Sequence, residues 1–241
     1  MIVLYKFVPY WKVPDLSPFV TKLETYLRMI HVPYQTVTGD TRKAPKKKLP
    51  YIEDEGQVIA DSSIIIEHFQ KKHGDVLEDG RFDARERAVI RAFKSLCETD
   101  FYFVLAYIRW WHDDTFEHYK PALLHYADVA KVPGFLRSPI ISFIRRGMKQ
   151  QLFQQGIGRH RREEVLAIGQ EHVAALADFL GDKPYFMGDR PCTLDATVYS
   201  SLIHLIWTPF GGPLKDYAQS RANLSAYCDR MHAAYWKETA T

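Results

Sequence analysis

The chain has 241 residues, 46% of them hydrophobic, and a formal net charge of +3. That length and apolar content allow one or two packed cores and exclude a disordered chain. Near-neutral charge argues against a globally basic nucleic-acid binder, and no uncharged apolar run reaches the ~18 residues of a membrane span, because residues 198–210 are interrupted by His204 and Pro209. In chain order, residues 1–7 lack a basic leader and a small-residue cleavage site, so they are expected to be a first strand and the protein cytoplasmic. Ser17-Pro18 then sets a capping hydroxyl before a proline at the first helical position. Val20, Leu23, Leu27 and Ile30 recur at three- and four-residue steps and predict a helix with one apolar face. His31, Val32 and Pro33 end it, and residues 34–37, β-branched and aromatic, predict a second strand.

Residues 48–63 carry the densest pattern. Leu49-Pro50 precedes a short apolar strand, Tyr51-Ile52, the usual place for a proline that cannot donate to a sheet ladder. Glu55-Gly56 supplies hairpin turn chemistry and residues 57–60 return as a strand. Asp61, Ser62 and Ser63 then open a helix through Ile64, Ile65, Ile66 and Phe69, where unpaired N–H groups are exposed. Such an opening can hold a carboxylate ligand, and a plain cap by Asp61 or Ser62 explains the pattern equally well.

Residues 73–82 hold two glycines and three acids without a period, as suits an interdomain linker. Asp83 and Glu86 have capping-box spacing, with an acid in place of the hydroxyl, for a helix through Phe93, Leu96, Cys97, Phe101 and Leu105. Residues 165–180 predict an amphipathic helix; residues 195–206 are apolar nearly all round and predict a central one. Residues 131–153 show no clear period. The sum is a thioredoxin-like α/β domain at 1–74 followed by an all-helical domain at 83–241. Cys97, Cys192 and Cys228 are widely spaced and the ten histidines scattered, so neither a disulfide framework nor a metal is expected. Three basic clusters, at residues 42–48, 145–149 and 159–162, lack interleaved aromatics and are expected to be solvated surface, with no nucleic acid as partner.

Leu49-Pro50-Tyr51-Ile52 with Asp61-Ser62 resembles the cytosolic glutathione transferase superfamily. The resemblance implies that Pro50 is cis, that Leu49 pairs its backbone with the cysteinyl part of glutathione and that Asp61 and Ser62 hold the γ-glutamyl end. Lys48, beside that strand, is placed to reach the glycyl carboxylate by a charge-assisted hydrogen bond. Residues 16–19 and 22–28, with the aromatic helix end Tyr107, Arg109, Trp110 and Trp111, are similar to the group that includes the failed axon connections proteins, cadmium-resistance relatives and the metaxins. Residues 188–196 resemble the superfamily's helix-start motif, with Cys192 at the hydroxyl position. A thiol is a weaker hydrogen-bond partner, so either Thr193 takes over with a shifted start or the cap is weaker.

The resemblance implies a glutathione transferase that conjugates glutathione, as co-substrate, to a small hydrophobic electrophile. The thiolate is the nucleophile, and a hydroxyl donor at a positive helix end lowers its pKa. Ser17 is the first candidate and Tyr10, in a loop, its rival; Tyr5 lies within an apolar strand and is expected to be packed. For Ser17 a plain N-cap also suffices. Residues 17–20 hold no thiol, which disfavours protein-based disulfide exchange there. Tyr107, Trp110 and Trp111 are candidates to line the acceptor site, with core packing as the alternative, and the two adjacent tryptophans cannot face one way. A homodimer is implied. The alternative function is a non-catalytic, metaxin-like interaction module.

Overall fold

The sheet grows in both directions from its first strand, β1 (Ile2–Lys6). In the computed structural model, which describes residues 1–236, β2 (Tyr34–Thr38) pairs with β1 in parallel and places Tyr34 opposite Ile2. On the other side β3 (Tyr51–Asp54) runs antiparallel, with Ile52 opposite Leu4, and β4 (Gln57–Ala60) follows antiparallel on β3. The order is β2-β1-β3-β4. Glu55 and Gly56 both have positive φ, 50° and 80°, as the mirror-image two-residue hairpin turn requires. Strand burial alternates along β1, where Leu4 is fully enclosed while Tyr5 stacks its ring on Tyr51 at 4.2 Å.

α1 (Pro18–Met29) crosses from β1 to β2, and α2 (Ser62–His73) follows β4. No helix separates β2 from β3. Residues 39–50 form a chain of turns that starts where Tyr126 donates to the Gly39 carbonyl at 2.7 Å. A Cβ on Gly39 would lie 2.6 Å from the Leu49 side chain, so the two ends of this excursion touch. The Leu49–Pro50 peptide is cis.

The helical part comprises α3 (Ala84–Ser95), α4 (Phe101–Trp110), α5 (Asp113–Val129), α6 (Gly134–Gln155), α7 (Arg162–Leu180), α8 (Thr193–Ile206), α9 (Gly212–Ser220) and α10 (Ala222–Tyr235). Together these are a thioredoxin-like α/β unit followed by an all-helical one. Residues 237–241 of the expected helical domain lie outside the described residues. Asp83 accepts from the Glu86 N–H and Glu86 from the Asp83 N–H, both at 2.8 Å, closing the expected box. The helix it starts does not run unbroken to Leu105: a π-type turn at Leu96–Asp100 intervenes, aiming Cys97 inward and Glu98 at α1.

α8 is buried along nearly its whole length and packs on α1, α3, α4, α9 and α10. Its start is not shifted. Cys192 is the N-cap, and the fully enclosed Asp195 carboxylate takes three donors: the N–H groups of Phe186 and Cys192, both at 2.9 Å, and the Tyr227 hydroxyl at 3.1 Å. The carboxylate thus does the capping that a hydroxyl would share. Because α8 covers α1, the predicted single apolar face is only part of what α1 buries; Thr21, Lys22, Glu24 and Thr25 are enclosed as well. One hydrophobic core therefore runs from Leu4, Leu27 and Phe69 through Leu23 to Phe101, Val198 and Leu202. No helix among the described residues is long and apolar enough to cross a membrane.

Candidate functional site

The hairpin and the turn at its end bring two parts of the sequence pattern together. β3 begins directly after Pro50, β4 returns antiparallel with Ala60 opposite Tyr51, and the chain leaves β4 at Asp61, so Leu49-Pro50 and Asp61-Ser62 lie at the same end of the hairpin. They line one cavity of about 140 Å³ with Lys48, Lys46 and Phe19.

Asp61 has φ 88°, a left-handed conformation that non-glycine residues rarely adopt and that Asp tolerates better than most. Its Oδ1 accepts from the N–H groups of Ser63 at 2.9 Å and Ile64 at 3.4 Å, capping α2. Among the described residues Oδ2 takes no donor. The Asp61 carboxylate thus caps with one oxygen and presents the other. Ser62, the first helical residue, is nearly enclosed beside it, and Lys46 and Lys48 add two cations to the cavity lining. A ligand carrying an ammonium group and carboxylates complements a lining of one free carboxylate oxygen and two cations.

Ser17 heads α1 in an extended conformation, and its Oγ accepts from the Val20 N–H at 3.5 Å. Capping uses an oxygen lone pair, so the hydroxyl proton is left to donate elsewhere. Phe19, two residues on, forms the cavity wall and packs on Tyr102 of α4 at 5.0 Å. The Ser17 N–H donates at 2.8 Å to Asp15, a fully enclosed carboxylate whose pKa burial pushes well up, against the field of Lys6. Below this loop Arg109 donates to the Leu16 carbonyl at 3.4 Å and to His204 at 2.9 Å, and His204 reaches Thr21 at 3.1 Å. A guanidinium only donates, so Nδ1 of His204 is the acceptor and the proton sits on Nε2. Burial, then Arg109, hold the His204 pKa well below the ordinary imidazole range.

Neither Ser17 nor Tyr10 is among the residues that line the cavity, although Phe19, two positions after Ser17, is. For Tyr10 the surroundings are aromatic. Its backbone closes a tight turn with Val13, and its ring packs edge-on to Trp11 at 4.8 Å and against His125 of α5 at 5.6 Å. Tyr5 is stacked on Tyr51 within the sheet. Tyr107 is enclosed, its ring stacked on Trp111 at 5.5 Å and its hydroxyl on His112 at 3.1 Å, while Trp110 packs edge-on to Tyr119 at 5.0 Å. The structure gathers Lys48, Leu49, Pro50, Asp61 and Ser62 in one cavity and places Tyr107, Trp110 and Trp111 away from it, toward the far end of α4.

Phe19 and Lys46 are missing from the sequence-derived set, although each lies two residues from a member of it. Lys22 is also missing. Its ammonium is 1% exposed on the α1 face and donates at 3.0 Å to Ser63 and at 2.7 Å to Glu98 on the π-type turn. Its partners lie 41 and 76 positions away, so no local pattern announces it. No group of three or more His, Cys, Asp or Glu among the described residues is placed to hold a metal.

A four-stranded thioredoxin-like sheet, a cis proline entering β3 and an acid-serine pair opening α2, all joined to an all-helical part, make up the glutathione transferase architecture. The chain belongs to the glutathione S-transferase family: the "Glutathione S-transferase N-terminal domain" family matches residues 18–116 and the "Glutathione S-transferase, C-terminal domain" family residues 169–231. Among relatives, the isoprene-epoxide–glutathione S-transferase of Rhodococcus sp. (strain AD45) is 34% identical, the match covering 98% of this chain and 99% of that protein. Failed axon connections of Drosophila melanogaster is 32% identical over 96% of this chain and 57% of its own length. Human metaxin-2 is 24% identical over 90% and 81% respectively. The fold is shared with glutathione transferase GSTFuA3 of Phanerochaete chrysosporium, at a TM-score of 0.67 and 17% identity, covering 97% of this chain and 96% of that one.

Proposed function

We infer that this chain binds glutathione in the cavity between Leu49-Pro50 and Asp61-Ser62 and transfers it to a small hydrophobic electrophile. The convergence of those two separated motifs with Lys46 and Lys48 around one cavity carries the reading. Asp61 Oδ2 receives the γ-glutamyl ammonium, and Ser62 with the head of α2 receives the adjacent carboxylate. The Leu49 backbone pairs with the cysteinyl residue, and Lys46 or Lys48 holds the glycyl carboxylate. Ser17 donates its hydroxyl proton to the sulfur. A free thiol has a pKa of about 8.5, and a donor at the positive end of α1 favours the thiolate near neutral pH. Phe19 and Tyr102 supply the apolar side on which the electrophile rests.

The Rhodococcus relative, named for an epoxide substrate and matched over nearly its full length, supports an epoxide as the electrophile. The thiolate attacks a ring carbon, a C–S bond forms as the C–O bond breaks, and the resulting alkoxide takes a proton from solvent. A cytoplasmic homodimer, as in the resemblance, belongs to the same reading. The test is calorimetry with glutathione, followed by turnover of an aryl halide and of a small alkene epoxide. Absence of glutathione binding overturns the reading. Binding without turnover of either electrophile supports instead a non-catalytic module, as the likeness to metaxin-2 suggests.

A further inference from the structure

α6 carries two apolar stripes on different sides, roughly a third of a turn apart. Ile141, Met148 and Leu152 face the body of the protein, where Ile141 and Leu152 are buried. Leu136, Ile140, Phe143 and Ile144 recur at i, i+4, i+7 and i+8 and face solvent, and Phe135 stands out on their flank. Phe135 is 80% exposed and Phe143 79%, so both rings project from the surface. An amphipathic helix docked on a protein needs only one apolar face, and this one has another left over.

The charge around that face is one-sided. Between Asp128 and Glu163 the sequence has eight Lys or Arg residues and no Asp or Glu. Arg137, Arg145, Arg161 and Arg162 pair with acids at or beyond the ends of this stretch. Lys131, Arg146, Lys149 and Arg159 form no ion pair among the described residues. A second copy docked through α6 would bring cation against cation, which the observed charge opposes. Projecting aromatic and aliphatic side chains flanked by unneutralised cations match an anionic lipid surface, which demands no shape complementarity: the rings enter the boundary between headgroups and acyl chains and the cations meet the lipid charge.

We propose that α6 is a peripheral docking element that lays its outward apolar stripe into an anionic lipid surface. The helix lies on the membrane and does not cross it.

The test is co-sedimentation of the full chain with vesicles of phosphatidylcholine alone and with about 30% phosphatidylserine, at low and high salt. The chain is expected to sediment with the anionic vesicles only and to be released by salt. Phe135→Ser with Phe143→Ser, both at exposed positions, is expected to weaken that binding at least about tenfold with the helical circular dichroism unchanged. Arg146→Gln is expected to weaken it and flatten its salt dependence. Three outcomes overturn the proposal: no binding of wild type to anionic vesicles, double-phenylalanine binding equal to wild type, or a wild-type dimer that ignores vesicles and becomes monomeric when the phenylalanines are replaced.

Discussion

Lys22 of α1 donates to Glu98 across 2.7 Å, and the same ammonium donates to Ser63, next to the acid-serine pair of the cavity. One enclosed cation thus ties the head of α2 to the helical domain. Burial lowers its pKa and Glu98 opposes that shift, so the charge persists because the carboxylate stands beside it.

Removing only the anion should therefore cost more than removing the pair. Glu98→Gln leaves an uncompensated buried ammonium and is expected to destabilise by on the order of 3 kcal/mol, whereas Lys22→Met with Glu98→Gln recovers most of that loss. Urea unfolding of the single and double variants reads this directly, and equal losses in both would contradict it.

Ser17 serves as cap and, in the proposed function, as thiolate donor, and the two roles separate in measurement. Ser17→Ala should lose about 1 kcal/mol of stability from the cap. Its kcat should fall about 100-fold or more, while glutathione binding is largely retained. Tyr10→Phe should leave turnover unchanged, since that ring packs on Trp11 and His125. The opposite pattern in steady-state kinetics would transfer the role to Tyr10.

Asp61 divides its oxygens between capping and, as proposed, the ligand. Asn caps helices about as well and tolerates positive φ, so Asp61→Asn keeps α2 capped and removes only the charge. The thermal midpoint should stay close to that of wild type while glutathione binding weakens about tenfold, the value of one charge-assisted bond. Calorimetry beside a thermal melt distinguishes this from a purely structural role, in which both would move together.

His204 gives the fold a dependence on mild acid. The unfolded chain protonates this side chain as the pH falls through about 6.5, and the folded chain resists because burial and Arg109 depress its pKa. Its contribution to stability is whole above that pH and declines as the pH drops below it. His204→Asn leaves an acceptor for Arg109 without a titrating ring. The variant should lose less thermal midpoint than wild type between about pH 7.5 and about pH 5.5, and equal losses would refute the assignment.

The elements most legible in the sequence are those whose signals are local. Ser17-Pro18 marks the start of α1, Asp83 and Glu86 that of α3, Glu55-Gly56 the hairpin, and Pro50 with Asp61 the two edges of the cavity. The π-type turn is not legible, because the apolar period through Phe93, Leu96, Phe101 and Leu105 continues across it. α6 hides for a different reason: stripes at Ile141, Met148, Leu152 and at Leu136, Ile140, Phe143 lie roughly a third of a turn apart and spread the apolar arc until no single face stands out. The enclosed polar links Lys22 to Glu98 and Arg109 to His204 join residues 76 and 95 positions apart, a distance no window of sequence spans.

The excursion between β2 and β3 begins at Gly39, held by the Tyr126 hydroxyl of α5, and closes against Leu49. A segment clamped at both ends has little conformational freedom left to lose, so in the proposed function Leu49 and the backbone carrying Lys46 and Lys48 would meet the tripeptide largely pre-arranged. If the proposed function holds, the clamp makes two equilibria one: loosening α5 at Tyr126 would weaken the hold on the tripeptide, and by reciprocity an occupied cavity would steady α5 by the same free energy.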